Sequence, residues 1–300
     1  MSKTTGIIGL LIVALLGIFL YNKLCSSCMV SEPEPVKETV TAPVAPDPTS
    51  YPLAFRDGEF GCDVNDNFNF KVSSSAILEP MSQNVVGCLG RLKSFLADNE
   101  GKVINITGYY ESDETNDTAF PNLGLARANA VKNYLVNQGI SSASINTYGK
   151  LMDEMVPDGD IYRGPIAYEL AGESVDAADE LKALYEKIKA NPLVLHFNTA
   201  EASISLTPEQ RQKFADISRY LDKVEGSSCN VVGHTDNTGN RNTNIRLGQE
   251  RADFAKGYLM RNGISEGKIN ASSKGPDQPV ATNDTEEGRA QNRRTVITLN

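Results

Sequence analysis

The chain has 300 residues, of which 40% are apolar and 22% charged, and its formal net charge is −9. This composition is ordinary for a globular protein, and the length suffices for two domains of usual size. Its cysteines lie at positions 25, 28, 62, 88 and 229, without a second CxxC pair or a neighbouring histidine, which argues against a zinc site. We expect no metal and no other cofactor. A Cys62–Cys88 disulfide and buried free thiols are both compatible with the sequence.

The N-terminal segment is strongly apolar. Residues 7–21 carry no charge, and the stretch 6–24 would form a helix about 28 Å long at ~1.5 Å per residue. Because this length nearly matches a bilayer core of about 30 Å, we predict an N-terminal transmembrane helix within an anchor segment 1–30. A cleaved signal peptide, or lipidation at Cys25 or Cys28, would explain the same pattern.

A proline-rich segment follows the anchor. Residues 31–52 hold six prolines among Glu, Thr and Ser. Such a composition cannot bury a core and favours an extended polyproline II conformation. We predict a spacer.

Residues 53–172 repeat features of the last third of the chain. Several pairs of identical residues recur at one offset of 124 positions: Arg127-Ala128 and Arg251-Ala252, Gly139-Ile140 and Gly263-Ile264, Ile145-Asn146 and Ile269-Asn270, Lys150 and Lys274. Upstream, Phe70 corresponds to Phe197 and Ile77 to Ile204, after small changes in length. An offset that persists through several elements indicates an internal duplication.

Between the two copies, residues 174–190 have apolar side chains at helical spacing, with acids near the start and lysines near the end. This pattern predicts a linking helix, within 173–191, that packs on one of the two domains.

The last segment, 192–300, alternates strands and helices. Strands are predicted at 193–197, 230–235, 269–272 and 295–299, one helix begins at Pro208 with Thr207 as its N-cap, and another covers about 244–261 before Gly263. The order βαβαββ implies a mixed β-sheet covered by helices, and the duplication gives residues 53–172 the same plan. We therefore predict an α/β (α+β) protein with two such domains, 53–172 and 192–300.

Residues 233–259 carry the most specific motif. Asp236 follows an apolar strand and Arg251 lies fifteen residues later on the next helix, whose residues Asn244, Leu247 and Arg251 share one face. Further on, residues 283–298 read NDTEEGRAQNRRTVIT. Over about 192–300 the chain resembles the OmpA C-terminal family, whose members bind the peptide stem of peptidoglycan. Residues 53–172 look like a degenerate copy.

The resemblance implies a function and a set of site residues. The carboxylate at Asp236 would meet the ammonium of diaminopimelate, Arg251 would meet its carboxylate, and Asn244 would hydrogen-bond the stem peptide. Arg294 on the last strand, with Thr235 and Leu247, would complete the site. The chain would then be a non-catalytic protein of the bacterial cell envelope, with its domains in the periplasm, that tethers an inner or outer membrane to peptidoglycan. No nucleic-acid partner is expected.

Other interpretations of these residues compete. Taken alone, Asp236 and Arg251 would form a surface salt bridge or a capping pair. His234 could suggest catalysis or a metal, but a role in supporting the loop at the strand end fits better, since the only other histidine is His196. In a different class of function, the chain would be an envelope scaffold whose OmpA-like domains mainly bind protein partners, with residues 53–172 as a contact surface.

The first copy departs from the motif at the expected site. Tyr110-Glu111 replaces Thr235-Asp236, Pro121 interrupts the loop before Arg127, and no paired arginines precede the last strand. Residues 51–172 carry 9 basic and 16 acidic side chains, net −7, whereas residues 191–300 carry 14 and 13, net +1. We expect the first copy to be a spacer or protein-contact module.

Overall fold

A computed structural model describes residues 3–24, 46–196 and 205–300, with side chains from residue 12 onward. The chain divides into two compact units, residues 1–46 and 47–300. Most of the predicted spacer (31–45), both cysteines of the anchor segment, Phe197 and Ile204 lie outside the described residues.

Helix α1, Lys3–Leu24, covers the segment predicted to cross a membrane. Within the described part of the chain, no helix is both long and apolar enough to cross a membrane. The predicted transmembrane helix is therefore not supported.

The first copy is a three-stranded sheet with helices and an added hairpin. Its central strand β4 pairs in parallel with β5 and antiparallel with β7, and a short pair joins β3 to β6. The elements are β1 Leu53–Asp57, β2 Phe60–Val64, β3 Phe70–Lys71, α2 Gln83–Asp98, β4 Lys102–Tyr110, α3 Leu123–Asn137, β5 Ile145–Leu151, β6 Ile161–Tyr162 and β7 Ile166–Gly172. The hairpin β1–β2 is an addition that the repeat does not predict.

The second copy has a four-stranded sheet in the order β10-β9-β11-β8. Strands β9 and β10 are parallel, and β11 runs antiparallel to both β9 and β8. The elements are β8 Leu193–His196, α5 Pro208–Lys223, β9 Cys229–His234, α6 Arg241–Arg261, β10 Ile269–Gly275, α7 Glu286–Asn292 and β11 Arg294–Leu299. Thr207 caps α5 as predicted, in a capping box with Gln210. The predicted mixed sheet and helices are confirmed, and the short helix α7 is new.

Paired glycines set the approach of strand to helix in both copies. A Cβ on Gly108 of β4 would lie 2.0 Å from the carbonyl oxygen of Gly124 in α3. A Cβ on Gly233 of β9 would lie 1.9 Å from the carbonyl oxygen of Gly248 in α6. Since real Cβ atoms need more than about 3 Å, only glycine permits this packing. The same device at equivalent positions supports the duplication.

The linking helix α4, Ala177–Ala190, packs on the second copy. Its buried Ile188 joins the core of the second copy, and Lys187 pairs with Asp216 of α5 at 2.7 Å. The prediction that this helix packs on one of the copies is confirmed.

The cores of the two copies meet. Ala119 and Phe120, from the loop before α3, are buried in the core cluster of the second copy, and the Phe120 ring packs edge-on against Phe214 at 5.2 Å. Lys132 of α3 also forms an ion pair with Asp222 of α5. The two copies are therefore joined by buried side chains.

The cysteines of the second unit fall into two classes. Cys62 of β2 and Cys88 of α2 form a disulfide. Cys229 is a buried free thiol at the start of β9, and burial raises its pKa to about 11. A thiol in such surroundings is unreactive.

Candidate functional site

A cavity of about 660 Å³ lies where β9 ends and α6 and α7 begin. It contains most of the predicted site residues together with others that the sequence did not single out. It is lined by Thr235, Asp236, Thr238, Asn244, Leu247, Arg251, Glu286, Arg289 and Arg293. Five of the six predicted residues are thus brought together, and Arg294 is not among the lining residues.

Arg251 enters the cavity from α6, three residues after the glycine that packs on β9. Its guanidinium is buried, and Nη1 donates a hydrogen bond to the carbonyl oxygen of His234 at 3.1 Å. Burial and the nearby charge of Arg293 lower the pKa of Arg251, while the charge of Asp236 acts in the opposite direction. A guanidinium stays protonated in proteins, so this group is a fixed cation that water solvates poorly.

Asp236 supplies the anion. Its Oδ1 accepts a hydrogen bond from the backbone N–H of Thr238 at 2.9 Å, and its Oδ2 pairs with Arg293 Nη1 at 3.0 Å. Burial raises the pKa of Asp236, but the hydrogen bonds from Thr238 and Arg293 and the charge of Arg293 outweigh it, and the pKa lies below its ordinary value. The carboxylate is therefore ionised at neutral pH.

Asn244 and Thr235 shape the loop that carries Asp236. The side-chain amide of Asn244 donates to the carbonyl oxygens of Asp236 at 3.3 Å and Thr238 at 3.0 Å. The Thr235 hydroxyl donates to the carbonyl oxygen of Asp236 at 2.8 Å. Both residues are buried, whereas Leu247 is partly exposed and gives the cavity an apolar wall.

The structure distinguishes two adjacent arginines. Arg293 directly follows α7 and lines the cavity, pairing with Asp236 and with Glu286 at 2.7 Å. Arg294 begins β11 and is buried away from the cavity lining, where it donates to the carbonyl oxygens of Asn292 and Gln278. Burial lowers the pKa of Arg294. The sequence motif predicted Arg294 as a site residue, whereas the arginine that lines the cavity is Arg293.

Charge in the cavity is mixed. The lining includes the cations Arg251, Arg289 and Arg293 and the anions Asp236 and Glu286. Glu286 accepts hydrogen bonds from both Arg289, at 3.0 Å, and Arg293. Charges of both signs within one small cavity suit a ligand that itself carries an ammonium and a carboxylate.

His234 lies just behind the site. It is buried, and burial, with the nearby charges of Arg294 and Lys274, lowers its pKa to about 4. The imidazole is therefore neutral at pH 7. In the described part of the chain, no group of three or more His, Cys, Asp or Glu side chains could hold a metal ion.

The corresponding residues of the first copy are arranged differently. Arg127 is fully buried and pairs with Glu114, a residue of the loop before α3. Glu111, the counterpart of Asp236, accepts a hydrogen bond from the hydroxyl of Tyr162. The sequence signalled a departure at this site but not the role of Glu114.

Comparison with known proteins identifies relatives that match part of the chain. In curated sequences, the probable lipoprotein YiaD of Escherichia coli strain K12 is 38% identical over 98 residues, which are 33% of this chain and 45% of that protein. The peptidoglycan-associated lipoprotein of Buchnera aphidicola is 32% identical over 129 residues, 43% of this chain and 71% of that protein. The chain thus spans less than half of YiaD.

Among solved structures, the peptidoglycan-associated lipoprotein from Burkholderia pseudomallei aligns at 26% identity with a TM-score of 0.33, over 36% of this chain and 89% of that one. The model of the OmpA family matches residues 69–157 and again residues 197–293. These two segments make up more than half of the sequence, and the chain belongs to the OmpA family.

Proposed function

We propose that the second copy binds the diaminopimelate-containing peptide stem of peptidoglycan, without catalysing a reaction. The observation that carries this proposal is the cavity in which Asp236 lies beside the cations Arg251 and Arg293. The amino-acid centre at the end of the diaminopimelate side chain carries one ammonium and one carboxylate. Its recognition requires an anion and a forked cation a few ångströms apart.

Each partner in the cavity has a role in this proposal. The ammonium of the ligand takes a place on Asp236, and its carboxylate lies between the guanidinium groups of Arg251 and Arg293. Arg293 lines the same cavity as Arg251 and Asp236. Charge-assisted hydrogen bonds contribute about 1.5–3 kcal/mol each, so two or three suffice for useful affinity.

The names of two relatives support this ligand and its location. One similar protein is a peptidoglycan-associated lipoprotein, and another is a probable lipoprotein. We place the protein in the bacterial cell envelope, with the second copy exposed to the periplasm. We also propose that residues 53–172 and 192–300 form the two domains, joined by the linking segment 173–191. The proposal does not include the membrane anchor predicted for residues 1–30.

Sedimentation of the full chain with purified peptidoglycan tests the proposal. The parent should pellet, while Asp236→Asn and Arg251→Met should each reduce the bound fraction at least about tenfold, since each removes a charge-assisted contact. Arg163→Met serves as the control, because Arg163 is an exposed cation in the first copy, paired with Asp158.

Three results would decide against parts of the proposal. A parent chain that stays in the supernatant would favour the alternative of an envelope scaffold that binds proteins. Full pelleting of both cavity variants would show that the wall binds elsewhere. An equal loss of pelleting in Arg163→Met would mean that the substitutions act only through a nonspecific change in charge.

A further inference from the structure

The guanidinium groups of the two copies have the same backbone anchor. Arg127 and Arg251 each follow the close-packed glycine of their helix by three residues. Arg127 Nη1 donates to the carbonyl oxygen of Tyr109 at 2.9 Å, just as Arg251 Nη1 donates to that of His234 at 3.1 Å. Tyr109 and His234 follow Gly108 and Gly233, so the two contacts are equivalent. The first copy has kept the cation of the site in place.

A carboxylate of the same chain occupies the space in front of this cation. Glu114 Oε1 lies 2.5 Å from Arg127 Nη2, and Oε2 lies 2.9 Å from Nη1. The backbone N–H groups of Ser73 and Glu111 donate to the same two oxygens at 2.8 and 3.0 Å. Four donors around one carboxylate, two of them in a guanidinium fork, make a complete carboxylate-binding site.

This arrangement is closed to solvent. The side chains of Arg127 and Glu114 are 0% and 1% exposed. The rings of Phe70 and Tyr162 lie 5.7 and 5.3 Å from the guanidinium carbon. Because Tyr162 also donates to Glu111, the acid that corresponds to Asp236 is engaged within the protein. The first copy therefore has a carboxylate half-site but no second, ammonium half.

A change in the loop explains how Glu114 reaches Arg127. Leu123, the first residue of α3, corresponds to Leu247 at the offset of 124, whereas α6 already begins at Arg241. The first copy thus lacks the first six residues of that helix, and residues 111–122 form a longer loop in their place. One part of the loop carries Glu114 back to Arg127, and another carries Phe120 into the second copy.

We propose that Glu114 is an internal ligand: it fills a carboxylate-binding half-site that the first copy retains, and it closes this copy to external carboxylates. The inference rests on the proposed function, because that function identifies the equivalent position in the second copy as a site for a ligand carboxylate. Under this proposal only the second copy binds a ligand, because Glu114 occupies the corresponding position in the first copy.

Chemical rescue in the full chain tests this inference. Glu114→Ala should lower Tm by roughly 6–20 °C, because it leaves the buried Arg127 without its counter-ion. Sodium acetate at about 100 mM should then raise the Tm of this variant by roughly 3–5 °C over sodium chloride of equal ionic strength, by occupying the vacated position. The parent, and Glu114→Gln, whose side chain still fills the position, should not respond to acetate.

The double variant Glu114→Ala with Arg127→Met is the matched control, since it has the space but lacks the cation. Equal Tm of Glu114→Ala in acetate and chloride, or an equal acetate response in the double variant, would overturn the proposal. If Glu114→Ala does not fold without acetate, refolding yields in the two salts replace Tm, and equal yields count against it. None of these readouts depends on peptidoglycan, so a failure of wall binding leaves this test intact.

Discussion

The two copies of the OmpA-like unit use equivalent arginines in opposite ways. In the second copy, Arg251 lines a cavity and has the charge of a second arginine, Arg293, beside it. In the first copy, Arg127 is enclosed and its charge is neutralised by Glu114. Each side chain donates a hydrogen bond to the equivalent carbonyl oxygen of its own strand. What separates the proposed binding site from a structural ion pair is thus the loop that precedes the helix.

This difference shows how a duplicated site can change its role. Charged side chains of both signs that line an open cavity stay within reach of a charged ligand. A buried carboxylate with four donors does the reverse, because it satisfies the cation and leaves nothing for a ligand. The following predictions test this contrast, from the largest expected effect to the smallest.

The largest effect is expected from matched substitutions of the two arginines. Arg127→Met should reduce the free energy of unfolding by about 3–5 kcal/mol, since it leaves Glu114 buried without a counter-ion. Arg251→Met should cost less, about 1–2 kcal/mol, because the loss of the favourable contacts of Arg251 is partly offset by relief of the repulsion from Arg293. Urea unfolding of the full-length variants measures both quantities. Equal costs would remove the distinction between a structural and a functional arginine.

A second matched pair compares Phe120 with Asn244, which occupy the same position at the offset of 124. Phe120→Ala should lower stability by about 3 kcal/mol, because a buried ring between the copies is lost. Asn244→Ala should lower it by about 1–2 kcal/mol, through loss of the hydrogen bonds to Asp236 and Thr238, and should also reduce pelleting with peptidoglycan.

At temperatures below its own Tm, the Phe120→Ala variant should pellet with peptidoglycan as the parent does. Loss of pelleting in that variant, with Asn244→Ala unaffected, would reverse the roles that we assign to the two loops.

The pH dependence of stability should come partly from His234, whose counterpart in the first copy is Tyr109. Because the pKa of His234 is lowered to about 4 in the fold, the unfolded chain binds the proton more readily between about pH 4 and 6.5. Stability is therefore lost as pH falls through this range. Between pH 7 and 5 the parent should lose about 2 kcal/mol more than His234→Gln, at ~1.4 kcal/mol per pKa unit.

Denaturation of both proteins at the two pH values gives the comparison directly. A parallel loss in parent and variant would assign the acid sensitivity to carboxylates elsewhere in the chain.

The fold followed from the sequence wherever the signal was local or repeated. The capping box at Thr207, the alternation of strands and helices, and the constant offset between Arg127 and Arg251 predicted the architecture of both copies. The hairpin β1–β2 and helix α7 were missed, since short elements carry little periodicity. The predicted transmembrane helix was not supported.

The site was predictable as a constellation but not in every side chain. Asp236, Asn244 and Arg251 converge because strand end and helix face fix their directions. The choice between Arg293 and Arg294 depends on where α7 ends and β11 begins, and a one-residue change reverses which side chain faces the cavity. The contact of Glu114 with Arg127 joins a loop to a helix through a remodelled turn, and no spacing rule anticipates it.

Calorimetric titration of the full chain with a soluble, diaminopimelate-containing stem peptide tests the central claim most directly. The account predicts one bound peptide per chain, and none after Asp236→Asn. Two equivalents per chain, or one equivalent that survives Asp236→Asn, would contradict the assignment of a single working site to the second copy.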